Sequence, residues 1–218
     1  MSRSDPSQSL LALDELTHLL RRECPWDREQ DERSIVPHTL EEAYELADAV
    51  HQGDDAKLLD ELGDVLFQVY FLALLLEERG AGDLAQVAEH CRQKLIRRHP
   101  HVFSDTEVAD AGEVLRNWDA IKATEPGRER GVFGEVPENL PALLYARKLQ
   151  RRAASAGLHP RERDAARTEP EDQGSFRAIG ERLFTLVDEA RHAHVDPELA
   201  LRAATQRFRE KIGHEGEQ

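Results

Sequence analysis

From Val65 to Leu76 the chain is apolar at every position except Gln68. The run falls well short of the roughly 20 residues needed to cross a bilayer. As a helix it is apolar on nearly every side, so it has to be covered by bundle neighbours or by another subunit. This requirement predicts an all-α helical bundle that dimerises.

The flanking sequence supplies the other helices. Leu10, Leu11, Leu13, Leu16, Leu19 and Leu20 recur near helical spacing, which predicts a helix over 8–22 that is broken by Cys24-Pro25-Trp26-Asp27. Pro37 is read as the start of the next helix, which Gly53-Asp54-Asp55 closes. The apolar helix then covers about 55–79, with Gly80 as its stop. Further helices are expected over Leu84–Arg98, Glu113–Ala123, Pro141–Ala156, Phe176–His192 and Pro197–Ile212. Residues 126–140 read as a linker dense in Gly, Pro and charge, and 159–174 as a mobile polar loop.

Acids precede the apolar run in an unusual arrangement. Glu41, Glu42 and Glu45 share one helix, and Glu61 and Asp64 lie on the next. Residues three or four apart share a helix face, so Glu42 stacks on Glu45 and Glu61 on Asp64. Packed antiparallel through the turn at Gly53, the two helices can bring the pairs together. A solvated acidic face would carry a cation one turn on, yet Glu45, Leu46, Ala49, Val65 and Gln68 occupy those positions. Lys57, one turn before Glu61, is the only compensation, in the weaker orientation. A hard divalent cation with oxygen ligands neutralises such a cluster, and Mg2+ commonly bridges carboxylates to phosphates.

A net charge of −14 argues against a nucleic-acid binder that works by neutralising phosphates. Cys24 and Cys91 are too few for a disulfide framework and lack metal-site spacing, so they read as free thiols. No signal-peptide core is evident near the start, where Asp14 and Glu15 interrupt the apolar stretch. The expected location is the cytoplasm.

The sequence also echoes itself. Leu62-Gly63-Asp64-Val65-Leu66-Phe67 is matched by Ile179-Gly180-Glu181-Arg182-Leu183-Phe184, and a basic helix follows each. Ala178 stands where Glu61 does in the first copy, and no Glu-Glu-x-x-Glu run precedes it.

At the acids the chain resembles the MazG family of nucleoside triphosphate pyrophosphohydrolases, within the all-α NTP pyrophosphatase superfamily. Glu41-Glu42-x-x-Glu45 and Glu61-x-x-Asp64 match the superfamily signature. Cys24-Pro25-Trp26-Asp27, Leu62 to Gln68, Arg97-Arg98-His99-Pro100-His101-Val102-Phe103, and Trp118 with Ile121-Lys122 look like MazG itself. The resemblance implies that Glu42, Glu45, Glu61 and Asp64 hold Mg2+, with Mn2+ as a substitute, and that Glu41 assists. It implies that Lys94, Arg98 and Lys122 contact the triphosphate and that Trp118 lies near the base or sugar.

It further implies a catalytic region over 8–125 and a shortened, degenerate second copy over 141–213. The expected reaction converts NTP or dNTP and water to the monophosphate and pyrophosphate, with broad specificity. Either Glu41 or Glu45 serves as general base. The expected assembly is a homodimer, or a tetramer formed by two dimers, binding neither nucleic acid nor membrane. The competing readings are a dUTP- or dCTP-selective or phosphoribosyl-ATP pyrophosphohydrolase on the same scaffold, and a helical module that binds nucleotide without hydrolysis.

Overall fold

A computed structural model of the chain describes residues 5–125, 131–134, 136–137, 139–158 and 175–216. All regular structure among them is helical, as the sequence predicts. Contacts divide the chain into two compact units, residues 1–95 and 96–218.

The first unit holds α1 (Ser7–Glu23), α2 (Pro25–Glu29), α3 (Glu32–Gln52), α4 (Asp55–Glu78) and most of α5 (Leu84–Arg98). Its centre is the α3–α4 hairpin. Gly53 adopts φ 69°, and the backbone N–H groups of Gly53 and Asp54 donate to the carbonyls of Val50 and Ala49 at 3.2 and 3.3 Å. This left-handed stop satisfies carbonyls that the end of α3 would otherwise leave open. The Asp54 carboxylate then accepts from the N–H groups of Ala56 and Lys57, both at 3.0 Å, and so caps α4. Two caps on adjacent residues leave the chain little choice but to reverse.

The reversal fixes an antiparallel register. Buried Ile35 packs with Phe71 and Leu75, with Phe67 and Leu72 against them. Burial of Ile35 and Phe71 contributes about 1.5–3 kcal/mol each. Further along, Glu42 faces Asp64 and Glu45 faces Glu61, and these are the strongest charged neighbours of Glu42 and Glu61 respectively. The same register sets His38 across from Gln68. The seam is therefore apolar at the far end and acidic towards the turn.

Helix α1 lies against α4 and α2. Arg21 ties the three together. Its Nε and Nη2 donate to the two carboxylate oxygens of Glu78, each at 2.8 Å, and its Nη1 to the carbonyls of Asp27 and Gln30 at 2.5 and 3.0 Å.

The sequence places the start of α3 at Pro37, but the helix begins five residues earlier. Asp31 and Ser34 form a reciprocal cap, with Asp31 Oδ1 accepting from Ser34 N at 2.8 Å and Ser34 Oγ accepting from Asp31 N at 2.9 Å. Ser at the position usually held by Glu or Gln hides this signal. Pro37 lies inside the helix, where it forgoes one hydrogen bond.

The second unit contains the last turn of α5, then α6 (Pro100–Phe103), α7 (Ala111–Ala123), α8 (Ala142–Ser155), α9 (Phe176–His192) and α10 (Pro197–Gly216). Helix α8 packs against α7, α9 and α10. Buried Gln150 donates from Nε2 to the Phe184 carbonyl at 2.8 Å, and Arg147 pairs with Asp196 at 2.5 Å. Ala178 and Val187 are the buried apolar residues of α9. Of the segments read as linker and loop, residues 126–130, 135, 138 and 159–174 lie outside the described residues.

Candidate functional site

The hairpin delivers the acids to one place. Ligand oxygens of Glu42, Glu45 and Glu61 all lie within 4.8 Å of one another. Glu61 is 5% exposed, and its Oε2 is buried with no hydrogen-bond partner. A buried, unpartnered carboxylate oxygen is costly and calls for a ligand.

The electrostatics agree. Burial raises the Glu42 carboxyl above the ordinary range, and the neighbouring charges of Asp64, Glu45, Glu61 and Glu41 push it further. Burial likewise raises Glu61, helped by Glu45, Asp64 and Asp60, while Lys57 pulls the other way. Two acids thus resist ionisation because nothing adjacent compensates enough charge. The donor set is carboxylate oxygen throughout, which fits a hard divalent cation.

Asp64 is exposed one turn beyond Glu61, and its charge reaches the cluster through Glu42. Glu41 is exposed beside the cluster and pairs with His38 Nδ1 at 3.7 Å. His38 in turn meets the Trp26 ring edge-on at 5.9 Å.

The basic residues named from sequence fall on α5 and α7. Lys94 is half-buried on α5. Arg98, one turn later, is 7% exposed, and its guanidinium sits 5.3 Å from the ring centre of Trp118. His99 meets Trp118 edge-on at 4.9 Å, with His101 at 5.6 Å from His99. Lys122 is half-buried on the last turn of α7. The structure therefore brings Arg98 and Trp118 into contact.

Two residues escaped the sequence reading. Gln68, the single polar break in the apolar run, is buried with its Oε1 unpartnered, one turn beyond Asp64 on the seam. Its interruption of the run was a visible signal. Glu125 takes up both Arg97 and Arg98, and its carboxyl falls to about 2 because Arg98 and then Arg97 hydrogen-bond its charged form against the opposing effect of burial. Nothing in its local sequence marks it.

A nucleoside triphosphate pyrophosphohydrolase of Escherichia coli (strain K12) is 38% identical over 207 residues, an alignment covering 87% of this chain and 79% of that protein. The chain belongs to the MazG family. A family model described as the MazG nucleotide pyrophosphohydrolase domain matches residues 30–103. A nucleoside triphosphate pyrophosphohydrolase/pyrophosphatase MazG of Thermotoga maritima is 37% identical over 201 residues, covering 87% of this chain and 77% of that one. A solved MazG-related protein from Thermotoga maritima has a TM-score of 0.45 at 25% identity, over 51% of this chain and 96% of its own. The MazG model spans the acid cluster, Lys94 and Arg98, and ends before Trp118, Lys122 and Glu125.

Proposed function

We propose that this chain is a metal-dependent nucleoside triphosphate pyrophosphohydrolase that converts NTP or dNTP to the monophosphate and pyrophosphate. The observation that carries the reading is the convergence of Glu42, Glu45 and Glu61 around a buried oxygen without a partner, in a chain that belongs to the MazG family. Glu42, Glu45, Glu61 and Asp64 are the residues to hold Mg2+, or Mn2+ in its place. When bound, the ion draws electron density from phosphate oxygens and lowers the pKa of a water.

The remaining work falls to the protein's own groups. Glu41 is exposed beside the cluster but outside the converging set, which suits it to take the proton of the attacking water. Lys94, Arg98 and Lys122 supply donors for the triphosphate, whose roughly four negative charges need cations as well as a metal. Trp118, stacked on Arg98, offers a flat surface to base or sugar.

Residues 8–125 form the catalytic region in this reading. Residues 141–213 descend from a second copy that has lost its carboxylates, since Ala178 is buried where an acid would stand. The substrate range is broad, in keeping with nucleotide-pool cleaning. No helix among the described residues is long and apolar enough to cross a membrane, which fits a cytoplasmic enzyme.

Nucleotide analysis after incubation with Mg2+ tests the reaction. NMP and pyrophosphate are expected across a panel of NTPs and dNTPs, and EDTA should stop their formation. Release of NDP and phosphate would overturn the mechanism, and strong preference for one base would replace broad specificity with a base-selective enzyme.

A further inference from the structure

Arg97 and Arg98 converge on a single acid. Oε1 of Glu125 accepts from Arg98 Nε at 2.9 Å and from Arg97 Nη2 and Nε at 2.8 and 3.3 Å, while Oε2 accepts from Arg98 Nη2 at 2.5 Å. The side chains of Arg98 and Glu125 are 7% and 10% exposed, whereas Arg97 is 51% exposed. We propose that Glu125 is a stand-in for a substrate phosphate, a carboxylate that occupies the Arg97–Arg98 pair in the nucleotide-free enzyme and is displaced by the triphosphate chain. The proposal rests on the reading of Arg98 as a phosphate ligand and adds Arg97 and Glu125 to that subsite.

Geometry supports exchange. The carboxylate presents two oxygens to the guanidinium fork of Arg98, the same bidentate contact a phosphate makes. Glu125 covers the Nε and Nη2 donors of a buried guanidinium, so a phosphate using that edge has to replace it. Arg98 keeps a second support that does not depend on the acid, its position over the Trp118 ring. The binding group therefore remains placed when the acid leaves.

Charge favours the incoming group. Two guanidiniums and one carboxylate sum to a net +1. A terminal phosphate carrying about two negative charges brings the pair close to neutrality. The backbone lets Glu125 move. It lies past Thr124, the C-cap of α7, and its own N–H reaches the Lys122 carbonyl only at 3.4 Å. Swinging the acid aside leaves the α7 ladder intact.

The consequence is a tax on binding. Only the fraction of molecules with Glu125 displaced binds phosphate at this pair, so apparent affinity falls by that fraction. The test is titration of the full chain with inorganic tripolyphosphate, followed by calorimetry and by Trp118 fluorescence in a W26F background. Trp118 and Trp26 are the chain's two tryptophans, so that background isolates the ring beneath Arg98. E125Q keeps an acceptor but drops the charge, and should tighten tripolyphosphate binding by up to about a hundredfold by removing the tax. Its KM for NTP should fall while kcat does not rise.

E125D keeps the charge on a shorter arm and should tighten binding by a smaller factor. It decides the matter if E125Q fails to fold. A residue that merely braces Arg98 gives the opposite sign, so weaker or unchanged binding in the folded variants overturns the proposal. R98Q separates the two levels. If R98Q weakens tripolyphosphate binding but the Glu125 variants do not strengthen it, only the exchange is wrong. If R98Q has no effect on binding, Arg98 is not a phosphate ligand and both readings fall.

Discussion

Glu61 is held in a position that costs stability. Its Oε2 has no partner, and three acids press on it through space. Neutralising it removes repulsion, so E61Q should raise the melting temperature of the metal-free protein while turnover is lost. A melting temperature that falls instead would show Glu61 bracing the hairpin. Glu41 is predicted to differ, because it lies outside the converging oxygens. E41Q should lower kcat by about 10²–10⁴-fold, the range for loss of a general base, with Mg2+ affinity by calorimetry retained. Loss of Mg2+ binding in E41Q would make it a ligand.

Glu125 sets a further expectation at this scale. Its folded value of about 2 lies below the ordinary 4.5. The unfolded chain therefore takes up the proton first as pH falls, and the pair's contribution, full above about pH 4.5, is lost towards pH 2. E125Q should flatten this acid limb in urea melts. At pH 7 it should cost about 3 kcal/mol, as Arg98 is left buried without its counter-charge. An acid limb unchanged in E125Q would show that Glu125 is not held by the arginines in solution. Glu42, Glu45 and Glu61 were legible in the sequence because helical spacing alone stacks neighbouring acids and a short turn folds them together. Glu125 was not, since its partners lie 27 and 28 residues away and only tertiary packing joins them.

At the scale of elements, the α3–α4 hairpin depends on two adjacent residues. Gly53 holds φ 69° with nothing within 4 Å of where a Cβ would stand, so G53A carries a conformational cost without a clash. That cost is about 1–2 kcal/mol. D54A removes a cap and costs about 1 kcal/mol. Both should reduce Mg2+ affinity as well as stability, because the same turn sets Glu42 against Asp64 and Glu45 against Glu61. Undiminished Mg2+ affinity in destabilised G53A would uncouple turn from site. At the other end of the seam, F71A should cost about 3–5 kcal/mol as a core cavity with less effect on the metal.

Helix interiors were readable from apolar spacing and from breakers such as Gly53 and Pro100. The start of α3 was not, because a Pro outweighed a Ser-based cap in the sequence pattern. The caps that fix helix ends depend on one or two side-chain contacts, and several residue types can make them.

At the scale of the whole molecule, the apolar side chains of α4 are only partly covered among the described residues. The second half of α4 buries Gln68, Tyr70, Phe71, Ala73, Leu74 and Leu75. Leu59, Leu62 and Val69 on the same helix remain 75%, 49% and 41% exposed, as do Leu40 and Val50 of α3 at 59% and 60%. Two helices of one hairpin thus present apolar side chains to solvent, a cost of about 25 cal/mol for each Å² left uncovered. A second copy of the chain supplies a like surface, and isologous pairing is the common solution for self-complementary patches. A stable dimer needs to bury on the order of 800 Å² per partner. Light scattering after size-exclusion should give twice the 24.7 kDa of one chain. L59E combined with V69E, placed clear of Glu61 and Asp64, should return the mass to that of one chain while the isolated protein keeps its helical circular dichroism. A wild-type protein that runs as a monomer at micromolar concentration would mean that these side chains are simply tolerated in water.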